Sequence, residues 1–132
     1  MMDRDIKFRA FACGVMQYDI TSFGTGLHGK IETVFLDGDE HSVVDKDSDV
    51  YAELMQYTGT SDQNGTKIYE GDIIESILYK RVYVMAVTFV NYGFWAISEC
   101  EEWARCHLEV LDGSKTFVMG NIYENPELLK GE

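Results

Sequence analysis

The sequence predicts a mainly β fold, and three observations carry that reading. Proline occurs once and glycine twelve times in 132 residues, so turns fall to Gly, Asn and Asp, which accept the backbone conformations that tight reversals need. Between those turns lie short runs of β-branched and aromatic residues with period-two alternation. And SDQNGTKIY, residues 61–69, is a hairpin signal, because Asn64-Gly65 tolerates the positive φ of a two-residue turn.

Taken in order, IKFRAFA at 6–12 sets Ile6, Phe8 and Ala10 against Lys7, Arg9 and Phe11, a first strand with a polar face, and GVMQYDI at 14–20 is its partner. Residues 21–38 are punctuated by glycine, with a short strand at Ile31 to Leu36. DGDEHSVVDKDSD, 37–49, reads as an acidic loop, too polar for a core and too short for a separate disordered tail. VYAELMQY at 50–57 is open between helix and strand: Val50 and Leu54 have helical spacing, yet the run breaks at Thr58-Gly59.

After the hairpin at 64–65, the chain from Gly71 reads as a meander. DIIESILY turns at Tyr79-Lys80-Arg81 into VYVMAVTFVN, which turns at Asn91-Tyr92-Gly93 into FWAI. The middle strand carries Val82, Val84, Ala86 and Val90 on one face and Tyr83, Met85, Val87 and Phe89 on the other, so both faces are expected to be covered. Ser98 to Glu101 has capping-box form, which predicts a short helix over EEWARCHLEVL, with Trp103 and Cys106 or His107 inward. Lys115 to Met119 is a last strand. Asn125 as N-cap and Pro126 at N1 then open a helical turn, PELLK, stopped by Gly131.

Composition bounds the function. A chain of this length buries roughly 68% of its unfolded surface and sustains one core without metals or disulfides. Eleven Lys and Arg against 23 Asp and Glu give a net charge of −12, which opposes direct nucleic-acid binding. Cys13, Cys100 and Cys106 are odd in number and lack C-x-x-C spacing, as suits free thiols in a reducing compartment. The N-terminus has charges where a signal peptide needs its apolar run, and the apolar run 82–90 falls far short of the ~20 residues of a membrane helix. A cytoplasmic location is expected.

Four motifs invite chemical readings. GTGLHGKI, 24–31, fits two phosphate-cradle patterns, but such a cradle needs a helix after the glycines, and Ile31-Glu32-Thr33-Val34 is β-branched; it reads as loop or hairpin. Asp45, Asp47 and Asp49 open like a calcium loop, yet Val50 and Gln56 stand where Gly and a bidentate Glu belong. Cys100, Cys106 and His107 lack zinc spacing, and no Ser or Cys lies in a nucleophile motif. Tyr57, Tyr69, Tyr92, Phe94 and Trp95 would suit a recognition groove but read first as core. No catalytic residue, metal ligand or cofactor site is assigned.

LMQYTGTSDQNGTKIYEGDII (54–74), together with IKFRAF (6–11) and VMGNIYENPELL (118–129), resembles the signature blocks of the YopX family, in the family's order. The resemblance implies a mainly β fold with an SH3-like barrel in the C-terminal part, phage or prophage origin, no established activity and no catalytic residues to transfer. One domain over 1–132 is expected: an N-terminal β region at about 1–58 packed against a barrel at about 59–124, with a helical turn at 125–131. Thr60 and Ser61 depart from the family's leucine and lysine, Phe11 replaces a tryptophan, and 21–49 matches no block. In Ile68 to Ile74 the glycine permits a bend and the apolar neighbours enter the core, so the signature reads as a fold determinant.

The expected function is therefore a non-enzymatic binding or assembly module, oligomeric, meeting phage or host proteins and neither nucleic acid nor membrane. Its candidate partner surface is Asp37, Asp39, Glu40, Asp45, Asp47 and Asp49. One rival reading makes that surface a nucleic-acid mimic aimed at a host DNA-binding protein. The other makes Asp45, Asp47 and Asp49 the ligands of a metal-assisted hydrolase.

Overall fold

The computed structural model describes residues 6–90, 92–98 and 105–130. The chain forms two compact units, Asp5–Gln56 and Tyr57–Glu132. Strands dominate, and among the described residues no helix reaches seven residues. Among the described residues no helix is long and apolar enough to cross a membrane.

In the first unit, β1 (Phe8–Ala12) pairs antiparallel with β2 (Val15–Gln17) through a two-residue turn at Cys13-Gly14, whose φ values of 53° and 79° are both positive. Such a turn twists in the sense its strands require. The other edge of β1 takes Glu53 to Gln56 of the long strand from Glu53 to Ser61. A second sheet is formed by β3 (Phe23–Thr25), β4 (Ile31–Leu36) and β5 (Asp39–Ser42). Ala10, Ala12, Ile20, Val34, Leu36 and Ala52 make the unit's core, flanked by Phe8 and Phe23, whose rings meet edge to face at 5.2 Å.

Two expectations are corrected here, and one open reading is decided. Arg9 was assigned to a polar face but is only 2% exposed, its guanidinium 5.8 Å from the Tyr18 ring centre; the aliphatic stem can be buried beneath a ring that attracts the charge. The acidic segment is not one loop: Asp37-Gly38, with φ of 52° and 87°, reverses the chain in two residues and Asp39–Ser42 joins β4 as a strand. Charged residues are tolerated there because β5 is a sheet edge. The open reading is 50–57, which leads into the strand beginning at Glu53. Pairing with β1, and burial of Ala52, Met55 and Tyr57, override the helical spacing of Val50 and Leu54.

The second unit begins in β6 (Glu53–Ser61), whose Tyr57 and Ser61 pair with β7 (Lys67–Tyr69). The hairpin forms where expected, but Gly65 alone takes positive φ (82°), and Asn64 does not. The organiser is Asp62. Its Oδ1 accepts from the main-chain N–H of Asn64 and Thr66, and its Oδ2 accepts from Val118 N–H, each at 2.9 Å. The meander follows as read: β8 (Asp72–Leu78), β9 (Arg81–Val90) and β10 (Gly93–Ile97). With β11 (Arg105–His107) and β12 (Thr116–Asn121) they give a sheet of order β11-β10-β9-β8-β12, curled as a half-barrel. Among the described residues its two edges are β11 and β12.

The hollow of the curl holds Ile68, Ile74, Met85, Val87, Ala96 and Leu108. This corrects the expectation that β9 is covered on both faces: Met85 and Val87 are buried, while Val82 (58% exposed) and Val90 (41%) lie open. A curled sheet closes its concave face on a core; the other face carries the exposed Val82 and Val90, although Ile73 of β8 is buried on it, and β9 also touches the 3₁₀ turn Pro126–Lys130. The helix expected over 101–111 is also corrected in its described part, since Arg105–His107 is strand, in register with Ile97 to Trp95, and only Leu108–Val110 makes a 3₁₀ turn. The rest of that helix, with Cys100 and Trp103, lies outside the described residues, as does Gly131. Asn125 does not cap forward with its side chain: Oδ1 accepts from Asn121 N–H at 3.2 Å, and its carbonyl accepts from Leu128 N–H at 3.1 Å.

Candidate binding groove

Within the second unit a cleft of about 560 Å³ opens on the half-barrel. Its first wall is Thr58 to Ser61 of β6. The β6–β7 ladder is interrupted between Tyr57↔Tyr69 and Ser61↔Lys67, so three residues of β6 stand opposite Ile68. Such a bulge bends the strand and frees main chain from the ladder. Gly59 carries it at φ 94°, with open space on its side-chain side, and Thr58 Oγ1 donates to Ile68 O at 2.7 Å in place of a ladder bond.

The floor is apolar: Ile68, Phe94, Leu108 and Leu111. Phe94 is fixed edge to face against Phe89 at 5.1 Å. Leu108 and Leu111 are drawn together by the 3₁₀ turn in which Leu111 N–H donates to Leu108 O at 3.1 Å. The far end is Gly113 and Thr116. Asp112 holds that end in place, accepting from Ser114 N–H at 2.9 Å and Ser114 O–H at 2.7 Å; these bonds, with Lys115 nearby, keep its carboxyl below the usual carboxylate range. Thr116 donates to Asp112 O and meets Ser76 Oγ, both at 2.8 Å.

The second wall carries Tyr92, Gly93, His107 and Glu109. Tyr92 is 99% exposed at φ 66°. His107 stacks on Trp95 at 4.0 Å between ring centres. Glu109 is the one carboxylate among the lining residues, and it has no hydrogen-bond or ion-pair partner among the described residues. Cys106 and His107 are neighbours on a strand and so point to opposite faces, Cys106 opposite Ala96 and His107 opposite Trp95. They do not converge as ligands, and burial pushes the Cys106 thiol up.

The sequence-assigned surface lies elsewhere, in the first unit. Asp37, Asp39, Glu40, Asp45, Asp47 and Asp49 are all exposed. Asp37 borders a second, smaller cleft of about 470 Å³ between Gln17 to Ser22 and Phe35 to Gly38. Asp45, Asp47 and Asp49 are not gathered as ligands: Asp45 Oδ1 accepts from Asp47 N–H at 3.1 Å, and no group of three His, Cys, Asp or Glu is placed to hold a metal among the described residues. Gly24 to Ile31 passes from β3 through a 3₁₀ turn at Leu27–Gly29 into β4, with no helix to receive a phosphate.

Of the five candidate groove aromatics, Tyr92 and Phe94 line the groove. Tyr57 and Tyr69 are core residues whose rings lie 5.6 Å apart, and Trp95 is half-buried against His107. Tyr69 to Ile74 shapes the fold and lines neither of these two clefts: Gly71 bends the chain at φ 90°, and Asp72 Oδ2 accepts from Tyr69 N–H at 2.8 Å. Sequence reasoning passed over Thr58 to Ser61, Leu108, Glu109 and Leu111. A glycine inside a strand run, Thr58-Gly59-Thr60, was the available sign of a bulge.

These features define a class: a small all-β protein whose half-barrel carries an open, apolar-floored groove walled by bulged main chain. The model of the YopX protein family matches residues 7–130, and the chain belongs to that family. The fold is shared with the crystal structure of protein EF1440 from Enterococcus faecalis, at a TM-score of 0.69 and 24% identity over 96% of this chain and 99% of that one. It is shared also with the X-ray structure of protein YopX from Bacillus subtilis, at a TM-score of 0.61 and 22% identity over 93% and 97%. No curated protein matches the chain.

Proposed function

We propose that this protein is a non-enzymatic binding module of phage or prophage origin, which holds an extended segment of a partner protein in the half-barrel groove. The carrying observation is the groove itself: about 560 Å³, floored by Ile68, Phe94, Leu108 and Leu111 and walled on one side by bulged strand main chain. That volume suits a ligand-sized occupant, apolar floors supply affinity, and strand main chain supplies orientation. Panning a displayed random-peptide library on the full chain tests it. Selected peptides are expected to shift the amide signals of Gly59, Gly93 and Gly113; peptides that bind without moving any of the three would overturn the groove as the site.

The proposal includes self-association through the convex face of the half-barrel, supported by the exposure of Ile77, Val82 and Val90 on β8 and β9. A second reading, the nucleic-acid mimic, is favoured by the exposure of all six carboxylates on β5 and its flanking turns. Replacing Asp39, Glu40, Asp45 and Asp47 with Lys should then abolish binding to a basic DNA-binding protein; unchanged binding sinks that reading.

A further inference from the structure

Resting on the groove as a peptide site, we infer the chemistry of its occupant: an extended segment in which a bulky apolar residue is followed or preceded closely by Lys or Arg. The floor of Ile68, Phe94, Leu108 and Leu111 takes the apolar side chain, because these residues offer contact area without a hydrogen-bonding group. The rim decides the rest. Glu109 is the single charged side chain there and no cation of the chain neutralises it among the described residues. An acidic segment would meet that carboxylate within a chain of net charge −12, whereas a basic one is drawn by both.

Tyr92 gives the second, independent observation. It stands at φ 66°, a left-handed conformation that strains a bulky L-residue and that Gly or Asn would adopt more readily. Its ring, 99% exposed, contributes nothing to the core in exchange. The β10–β11 ladder ends at Trp95↔His107, and the 3₁₀ turn Leu108–Val110 that follows stays in contact with β10, so Tyr92, the residue before β10, and Glu109 in the turn both line the groove. A guanidinium or ammonium placed there is attracted by the π face and by the carboxylate together.

The test uses peptides selected on the full chain, resynthesised with a fluorophore, and paired with analogues in which each Lys or Arg is norleucine. Groove-binding peptides are expected to share an apolar residue beside a basic one. Glu109→Gln should weaken them about fivefold, the upper range of an exposed ion pair, and should leave the norleucine analogues unchanged; Tyr92→Ser should weaken the basic peptides in the same selective way. Asp45→Asn, in the other unit and outside the groove lining, should change nothing. Both rim residues are exposed, and equal thermal stability of the variants excludes a folding artefact. If peptides that shift Gly59, Gly93 and Gly113 carry no basic preference, or if Glu109→Gln and Tyr92→Ser leave affinity within about twofold, the inference is overturned while the groove stands. If no selected peptide reaches the groove, the groove reading falls and takes this one with it.

Discussion

Asp62 shows how one side chain can settle a local fold. It is 8% exposed and satisfies three main-chain donors, two within its own hairpin and one on β12, 56 residues later in the chain. Removing a buried acceptor leaves donors without partners, a larger penalty than the net worth of the bonds. Asp62→Ala is expected to lower unfolding free energy by roughly 3 kcal/mol, read as a shift in the denaturant midpoint. Asn64→Ala, by contrast, should cost under about 0.5 kcal/mol, because Asn64 contributes only its main-chain N–H to the network. The sequence marks Asn64-Gly65 as the turn; the weight carried by Asp62 comes from where its carboxylate lies, within reach of β12.

Tyr51 offers a second residue-scale prediction. Its phenol is pushed up from 10.0 to about 12, chiefly by burial, then by the hydrogen bond it donates to Glu53 Oε1 at 3.0 Å and by the charge of that carboxylate. A raised pKa means that the folded state favours the neutral phenol. The contribution is therefore complete below pH 10.0 and is lost as pH climbs through about 12. Ultraviolet titration of phenolate should include a late step, and Tyr51→Phe should delete it. Glu53→Gln should bring the step down without restoring the ordinary value, since burial remains.

Elements show where local chemistry agrees with the fold and where it does not. The β8–β9 connection is a two-residue turn, Leu78↔Arg81, with both Tyr79 (φ 50°) and Lys80 (φ 69°) left-handed. Asn-Gly is the pair suited to that geometry. Replacing Tyr79-Lys80 with Asn-Gly should stabilise the chain by about 1 kcal/mol, measured by thermal unfolding, because Tyr79 is 93% exposed and surrenders no packing. Gly71→Ala should act in the opposite sense by roughly 1–2 kcal/mol. Its φ is 90°, and its N–H and C=O are both committed, to Val87 O at 2.8 Å and Ile122 N–H at 2.9 Å, so the backbone cannot relax away.

The same contrast explains what was legible. β1, β2, β4 and the meander β8–β10 are apolar alternations between turn residues, and the sequence shows them. β5 reads Asp39-Glu40-His41-Ser42, with no apolar residue to mark it; it is a strand only because Asp37-Gly38 folds it onto β4. β11 carries a helix-like context, yet an open edge of β10 offered ladder bonds that a short helix could not match. The groove was least legible of all. Its floor is drawn from β7, β10 and the 3₁₀ region after β11, so Ile68, Phe94, Leu108 and Leu111 become neighbours only through the curl of the sheet.

At the scale of the whole molecule, a charge of −12 acts on every encounter, and it acts with opposite sign on the two surfaces proposed to bind. Two copies of the chain repel at long range, so contact through Ile77, Val82 and Val90 is opposed until salt screens the charge; the Debye length falls from about 30 Å at 0.01 M to about 8 Å at 0.15 M. A basic peptide entering beside Glu109 is attracted at long range and loses that attraction over the same interval. Raising salt from 0.01 to 0.15 M should therefore increase the sedimentation coefficient while weakening the basic peptide, in one and the same preparation. Val82→Glu should hold the protein monomeric at both salt concentrations and leave peptide affinity intact, because Val82 lies on the convex face and not in the groove lining. A sedimentation coefficient that stays at the monomer value throughout, while peptide binding keeps its salt dependence, would leave the groove as a binding surface and remove the convex face.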